Sequence, residues 1–205
     1  IFGAAIKGAD EYASDIASLA GKSVEDVVRT LTTDDVRVAC DLFSKMYQES
    51  NGIDGRVSIE VDPRLAHKTQ ETIDEGIALH ALVNRPNVMI KVPATKAGLP
   101  AITALIAEGI SVNVTLIFSI ERYSEVIDAF IAGIAQAKAA GRDLSTIHSV
   151  ASFFISRIDS AVDKELKAIG NSDLLGKIAV ANAHRAYALF LENFGQAEWK
   201  ALASA

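Results

Sequence analysis

The feature that most narrows what this chain can fold into is a rhythm of four short apolar segments, each followed by an amphipathic helical stretch. Residues 56–61, 88–92, 110–117 and 147–154 are rich in β-branched side chains and lack clean alternation. That is the signature of strands buried on both faces. Helical spacing is read over 33–49, with Val36, Val38, Leu42, Phe43 and Met46 as its apolar residues, and over 64–82, with Leu65, Ile73, Ile77 and Leu79. Residues 100–108, 121–140, 158–169 and 174–194 follow the same pattern. Asp62 before Pro63 reads as an N-cap with proline at the first helical position, and Ser23-Val24-Glu25-Asp26 resembles a capping box. Strands recurring every 24 to 37 residues or so, with helices between them, describe repeated βα units around a parallel sheet.

Two architectures share that rhythm, the doubly wound open sheet and the (βα)8 TIM barrel. No glycine-rich phosphate loop of the dinucleotide type follows the strands, which favours the barrel. A barrel needs eight strands and typically about 250 residues, so 205 residues with four clear strands are expected to supply a partial barrel, 1–205 being part of one domain. A start at Ile1-Phe2-Gly3 without methionine leads to the same expectation, a chain that begins inside a longer product. Half the residues are apolar and only 13 are Gly and 4 Pro, ample for a packed core. A net charge of −6 with no basic run argues against a nucleic acid partner. No uninterrupted apolar stretch is long enough for a membrane span, and the single cysteine, Cys40, excludes a disulfide framework and fits a cytoplasmic location.

Against this apolar background two charges stand out. Val57-Ser58-Ile59-Glu60-Val61 and Val88-Met89-Ile90-Lys91-Val92 each carry one ionisable residue near the C-terminal end of a strand. An isolated ionised group inside an apolar strand is costly unless paired or neutralised. In a βα barrel that strand end is the active-site face. Lys91 can be a strand-end lysine whose stem is buried and whose ammonium reaches solvent. Its flanking residues Met89, Ile90, Val92 and Pro93 instead predict an enclosed position, where desolvation favours a neutral amine able to attack a carbonyl. Glu60 then serves as a buried ion-pair partner, as a proton shuttle acting through water, or as both.

Asn113 and Thr115 stand two apart on the next strand and so share a face. Threonine is ordinary there. Asparagine is not, and its amide needs several partners. Together they fit a polyhydroxylated ligand and a trapped water. On the last strand Ser152 and Phe154 also share a face, and Arg157 follows where a helix begins. Arg157 is either a solvated charge or an anion clamp, since guanidinium and helix N–H groups both suit phosphate. His67, His80, His148 and His184 have no metal-ligand spacing, so no metal and no cofactor is expected.

Five runs carry a resemblance: Val-Ser-Ile-Glu-Val-Asp-Pro-Arg-Leu from 57, Ile-Lys-Val-Pro-Ala-Thr from 90, Gly-Leu-Pro-Ala-Ile from 98, Val-Asn-Val-Thr-Leu-Ile-Phe-Ser from 112, and Ser-Val-Ala-Ser-Phe-Phe-Ile-Ser-Arg from 149. In this order they resemble the transaldolase family in its longer bacterial form. The resemblance implies an eight-stranded barrel moving a dihydroxyacetone unit from a ketose phosphate, sedoheptulose 7-phosphate or fructose 6-phosphate, to an aldose phosphate. It implies that Lys91 forms the imine, that Glu60 and Thr115 hold and use the catalytic water, and that Asn113 and Ser152 bind substrate hydroxyls. Phe154 would line the pocket and Arg157 would bind the phosphate.

The same resemblance numbers these strands three to six of eight. The family's first-strand aspartate and its second phosphate-binding arginine have no counterpart here. Residues 1–205 alone would then leave two open sheet edges and should aggregate or dimerise, and for the protein itself a homodimer stays open. Two other readings remain: a fructose 6-phosphate aldolase, which releases the dihydroxyacetone, and a catalytically inert barrel fragment or binding module.

Overall fold

The computed structural model describes residues 10–203, so the start at Ile1 to Gly3 lies outside the described residues. A short 3-10 turn, Asp10–Tyr12, leads into α1 (Ala13–Ser18), α2 (Val24–Leu42) and α3 (Ser44–Glu49). The βα alternation follows, as β1 (Val57–Glu60), α4 (Thr69–Val83), β2 (Val88–Pro93), α5 (Gly98–Ala107), β3 (Val112–Ile117), α6 (Ile120–Ala139) and β4 (Ser149–Phe153). Then come α7 (Ser156–Ala168), α8 (Ile178–Phe194) and α9 (Ala197–Ala203). The strands stand in the order β1-β2-β3-β4, with β2, β3 and β4 in parallel register. Each of the four strand expectations is met within two residues. The described residues therefore form an α/β fold around a parallel sheet, and among them no helix is long and apolar enough to cross a membrane.

Contacts group the chain into two compact units. The first spans residues 1–59 and 79–88. Here Asn87, buried to 2% exposure, donates from Nδ2 to the carbonyls of Cys40 at 2.8 Å and Gly55 at 2.9 Å. Arg85 grips Asp41 through two bonds of 2.6 and 2.9 Å. The start of α2 is as expected, Ser23 accepting from the Asp26 amide at 3.1 Å.

The rest of the 33–49 reading is corrected twice. The helix breaks at Phe43, where the Ser44 hydroxyl donates to the Asp41 carbonyl and competes with the helical pattern. Its inward stripe is Leu31, Thr33, Val36 and Cys40, while Val38, Leu42, Phe43 and Met46 are exposed. At about 100° per residue, Val38 and Leu42 point roughly 160° and 120° around the helix from Val36. They never shared its face.

The second unit spans residues 60–78 and 89–205. Its core is the sheet with α5 and α6 packed against each other, and Ile90, Val92, Ile102, Leu105, Ile106, Val112, Val114 and Ile117 are all fully buried. A Cβ at Gly133 would stand 2.6 Å from Ile106 Cβ, so only glycine lets the two helices approach this closely. Asp62 caps the Pro63–Leu65 turn by accepting from the Arg64 amide at 2.8 Å, and Ser119 caps α6 by accepting from the Arg122 amide at 3.1 Å. The capping expectation at Asp62 holds, although a 3-10 turn precedes the α-helix, which starts at Thr69 and not at 64 as its apolar spacing predicts.

Candidate active site

Parallel pairing sets which side chains meet. The Val61 amide donates to the Lys91 carbonyl at 3.1 Å, which places Glu60 opposite Lys91. Lys91 pairs with Asn113, and Asn113 with Val150. Glu60, Lys91 and Asn113 therefore form one row across neighbouring strands on one face of the sheet. Pro93 and Thr115 pair in the next layer toward the strand ends. Thr115 is almost fully buried, at 1% exposure.

Lys91 Nζ stands 3.5 Å from Glu60 Oε2, with side chains 31% and 48% exposed. The enclosure expected for Lys91 is thus partial: its neighbours Ile90 and Val92 are fully buried, but its own head and its partner carboxylate reach solvent. A carboxylate this near an amine can accept and return protons directly or through one water. The Ser152 hydroxyl donates to Asn113 Oδ1 at 2.9 Å, which orients the Asn113 amide with its nitrogen as the donor end. Ser152, Phe154, Ser156 and Asp159 line a depression of about 600 Å³. A second cavity, of about 720 Å³, opens beside Ala151 and Phe153 and is mostly apolar. The alternation along β4 puts those two residues on the face opposite Ser152.

Arg157 is the second residue of α7, and its guanidinium carbon lies 4.8 Å from the centre of the Phe154 ring. That is cation–π distance. The ring of Phe118 packs on the same Phe154 ring, with centroids 5.2 Å apart. Phe118 has no role in the sequence reading, and simple alternation from Asn113 and Thr115 would point it to the other face.

The backbone explains the difference. Between the pairs Val114–Ala151 and Ile117–Phe153, β3 carries one more residue than β4, and Leu116 takes a φ of 62°. This is a β-bulge, and it reverses the alternation, so that Phe118 shares a face with Phe154. A left-handed leucine costs roughly 1–2 kcal/mol. No sequence signal marks it, since glycine or asparagine is what such a conformation normally selects.

All seven residues singled out from the sequence lie in the second unit: Glu60, Lys91, Thr115 and Ser152 in the C-terminal halves of β1 to β4, Phe154 and Arg157 just beyond β4, and Asn113 near the start of β3. Ion pairing, a hydrogen bond and a ring contact join six of them in three pairs, Glu60 with Lys91, Asn113 with Ser152, and Arg157 with Phe154, while Thr115 pairs in register with Pro93. Among the described residues, no group of three or more His, Cys, Asp or Glu side chains stands ready to hold a metal ion.

The chain is 57% identical to a transaldolase of Thermobifida fusca over 210 aligned residues, covering all of this chain and 57% of that protein. It is 58% identical to a transaldolase of Mycolicibacterium smegmatis over 95% of this chain and 54% of that one. The corresponding figures for a transaldolase of Mycobacterium tuberculosis are 56%, 95% and 53%. The chain spans a little over half the length of these curated relatives. The sequence model described as transaldolase/fructose-6-phosphate aldolase matches residues 1–203, and with that match over nearly its whole length the chain belongs to the transaldolase/fructose-6-phosphate aldolase family.

Proposed function

We propose that the chain carries the imine-forming centre of a transaldolase, a transferase that works through a lysine Schiff base without a cofactor. The observation that carries the reading is the row Glu60–Lys91–Asn113, which sets a nucleophilic amine between a carboxylate and an amide on one face of a parallel sheet. Lys91 passes a proton to Glu60 through a water held with Thr115, and the freed amine adds to the ketose carbonyl carbon while a proton moves from its nitrogen to the carbonyl oxygen, giving the carbinolamine hydroxyl. Glu60 then returns that proton through the same water to the hydroxyl, which leaves as water as the nitrogen lone pair forms the protonated imine. The imine withdraws electrons from the adjacent carbon–carbon bond. Once a general base takes the proton of the hydroxyl on the far carbon, that bond breaks, releasing an aldose and leaving a dihydroxyacetone enamine on Lys91. Addition of the enamine to a second aldose phosphate, followed by hydrolysis of the imine, completes the transfer.

Asn113 and Ser152 hold substrate hydroxyls, Phe154 lines the pocket, and Arg157 with the first turn of α7 binds the phosphate. The four strands are read as strands three to six of a (βα)8 barrel, with residues 1–205 as part of one catalytic domain. The donor is fructose 6-phosphate or sedoheptulose 7-phosphate, and the acceptor glyceraldehyde 3-phosphate or erythrose 4-phosphate. A cytoplasmic protein of the pentose phosphate route, with sugar phosphates as its partners and open to homodimer formation, completes the reading. The buried free thiol of Cys40 supports the reducing compartment.

The test is borohydride reduction of the full encoded protein with fructose 6-phosphate, followed by intact and peptide mass. A dihydroxyacetone adduct on Lys91, together with transfer to erythrose 4-phosphate, supports the proposal. An adduct with free dihydroxyacetone as the product would make the protein an aldolase that releases its fragment. An unmodified Lys91 would leave the barrel as a binding module.

A further inference from the structure

We infer that Phe118 is a positioning residue for the Arg157 anion clamp, brought to it by the left-handed bulge at Leu116. This deepens the proposed function and rests on its reading of Arg157. Three groups form one stack: Phe118 on Phe154 at 5.2 Å with the rings tilted by 33°, and the Arg157 guanidinium over Phe154 at 4.8 Å. A long, exposed arginine has many rotamers, and a planar guanidinium resting on a ring has few. The ring beneath it must itself be held.

Phe154 is held from two directions. Its amide donates to the Ile117 carbonyl at 2.9 Å, past the bulge, and its ring rests against Phe118. Phe118 is anchored in turn, since Asn182 of α8 donates from Nδ2 to the Phe118 carbonyl at 2.9 Å. Phe118 is 38% exposed as a residue, so burial alone does not account for its placement. The strained Leu116 has a matching consequence. Without the extra residue, Phe118 would face away from Phe154, and the stack would lose its base.

The experiment uses the full encoded protein and measures the inhibition constant of inorganic phosphate together with KM and kcat for fructose 6-phosphate. Arg157→Ala calibrates the clamp, with about a tenfold or greater weakening of phosphate expected. Phe118→Leu, which keeps an apolar side chain but no ring, is expected to raise both the phosphate constant and KM by about threefold to fivefold. Phe118→Tyr restores them. In an Arg157→Ala background, Phe118→Leu should add no further loss of phosphate affinity.

The inference is overturned if Arg157→Ala weakens phosphate while Phe118→Leu does not, or if the two losses add in full. Should Arg157→Ala leave phosphate binding unchanged, the clamp falls and this inference with it. The imine chemistry is tested separately by the Lys91 adduct, which none of these phosphate measurements decides.

Discussion

Replacing Glu60 by glutamine removes one negative charge and one proton acceptor while keeping the shape of the side chain. The carboxylate stands 3.5 Å from Lys91 Nζ, and the two side chains are 48% and 31% exposed. An ion pair at that exposure contributes about 0–1 kcal/mol to stability. For a chain of this size the expected change in Tm is then no more than about 4 °C. Proton transfer by a positioned group is worth far more, typically a factor of about 10²–10⁴ in rate. Glu60→Gln should therefore slow imine formation with fructose 6-phosphate by about a hundredfold or more, with substrate affinity changed by less than about threefold. Quenched-flow borohydride trapping gives the rate, equilibrium titration the affinity, and calorimetry the Tm. A trapping rate within about threefold of wild type would reduce Glu60 to an ion-pair partner. A rate loss that comes with a large drop in Tm would make its role structural.

Lys91→Met should abolish the trappable adduct while changing stability by about 1 kcal/mol or less, since the charge it removes is part of the same half-exposed pair; an adduct formed at the wild-type rate would remove Lys91 from the mechanism. Gly133→Ala sets a Cβ 2.6 Å from Ile106 Cβ and should cost about 1–3 kcal/mol of stability by urea denaturation. An unchanged midpoint would mean that α5 and α6 separate freely. Burial, reinforced by the neighbouring Asp41 charge, pushes the Cys40 thiol up from its ordinary 9.0 to about 11. The folded value lies above the unfolded one, so this contribution is fully present below pH 9 and is lost as pH rises through 11. At about 1.4 kcal/mol per pH unit, the loss reaches roughly 3 kcal/mol. Cys40→Ala should lack that alkaline decline, and equal declines in both proteins would count against it.

The strands were legible because each is a short apolar run between turn signals, a pattern that burial on two faces imposes on composition. Lys91 and Glu60 were legible for the opposite reason, being charges in runs that otherwise exclude them. What failed to show in the sequence was phase. Over 33–49 the apolar residues at 38, 42, 43 and 46 outnumber the inward ones, so counting hydrophobic residues selects the wrong side, and only the angle between Val36 and Cys40 marks the true stripe of α2. The break at Phe43 depends on one serine hydroxyl turning back on a carbonyl, a choice between two hydrogen bonds of similar strength.

Phase also decides the site. A strand read by alternation gives Asn113 and Thr115 to one face and Phe118 to the other, and every inference drawn from residue types inherits that assignment. One leucine at a φ of 62° reverses it from Leu116 onward. The conformation is unfavourable for leucine taken alone, so the surroundings must determine it: the pairing of Ile117 with Phe153 beyond the bulge, the full burial of Ile117, and the Asn182 bond to Phe118. The Asn182 bond comes from far along the chain and the pairing with Phe153 is a matter of register, so neither leaves a mark on the local pattern. The residues that perform the proposed chemistry can be picked out because they violate the composition of their strands. The residue that positions one of them violates nothing in its own run, and it becomes visible only once the register of β3 against β4 is known.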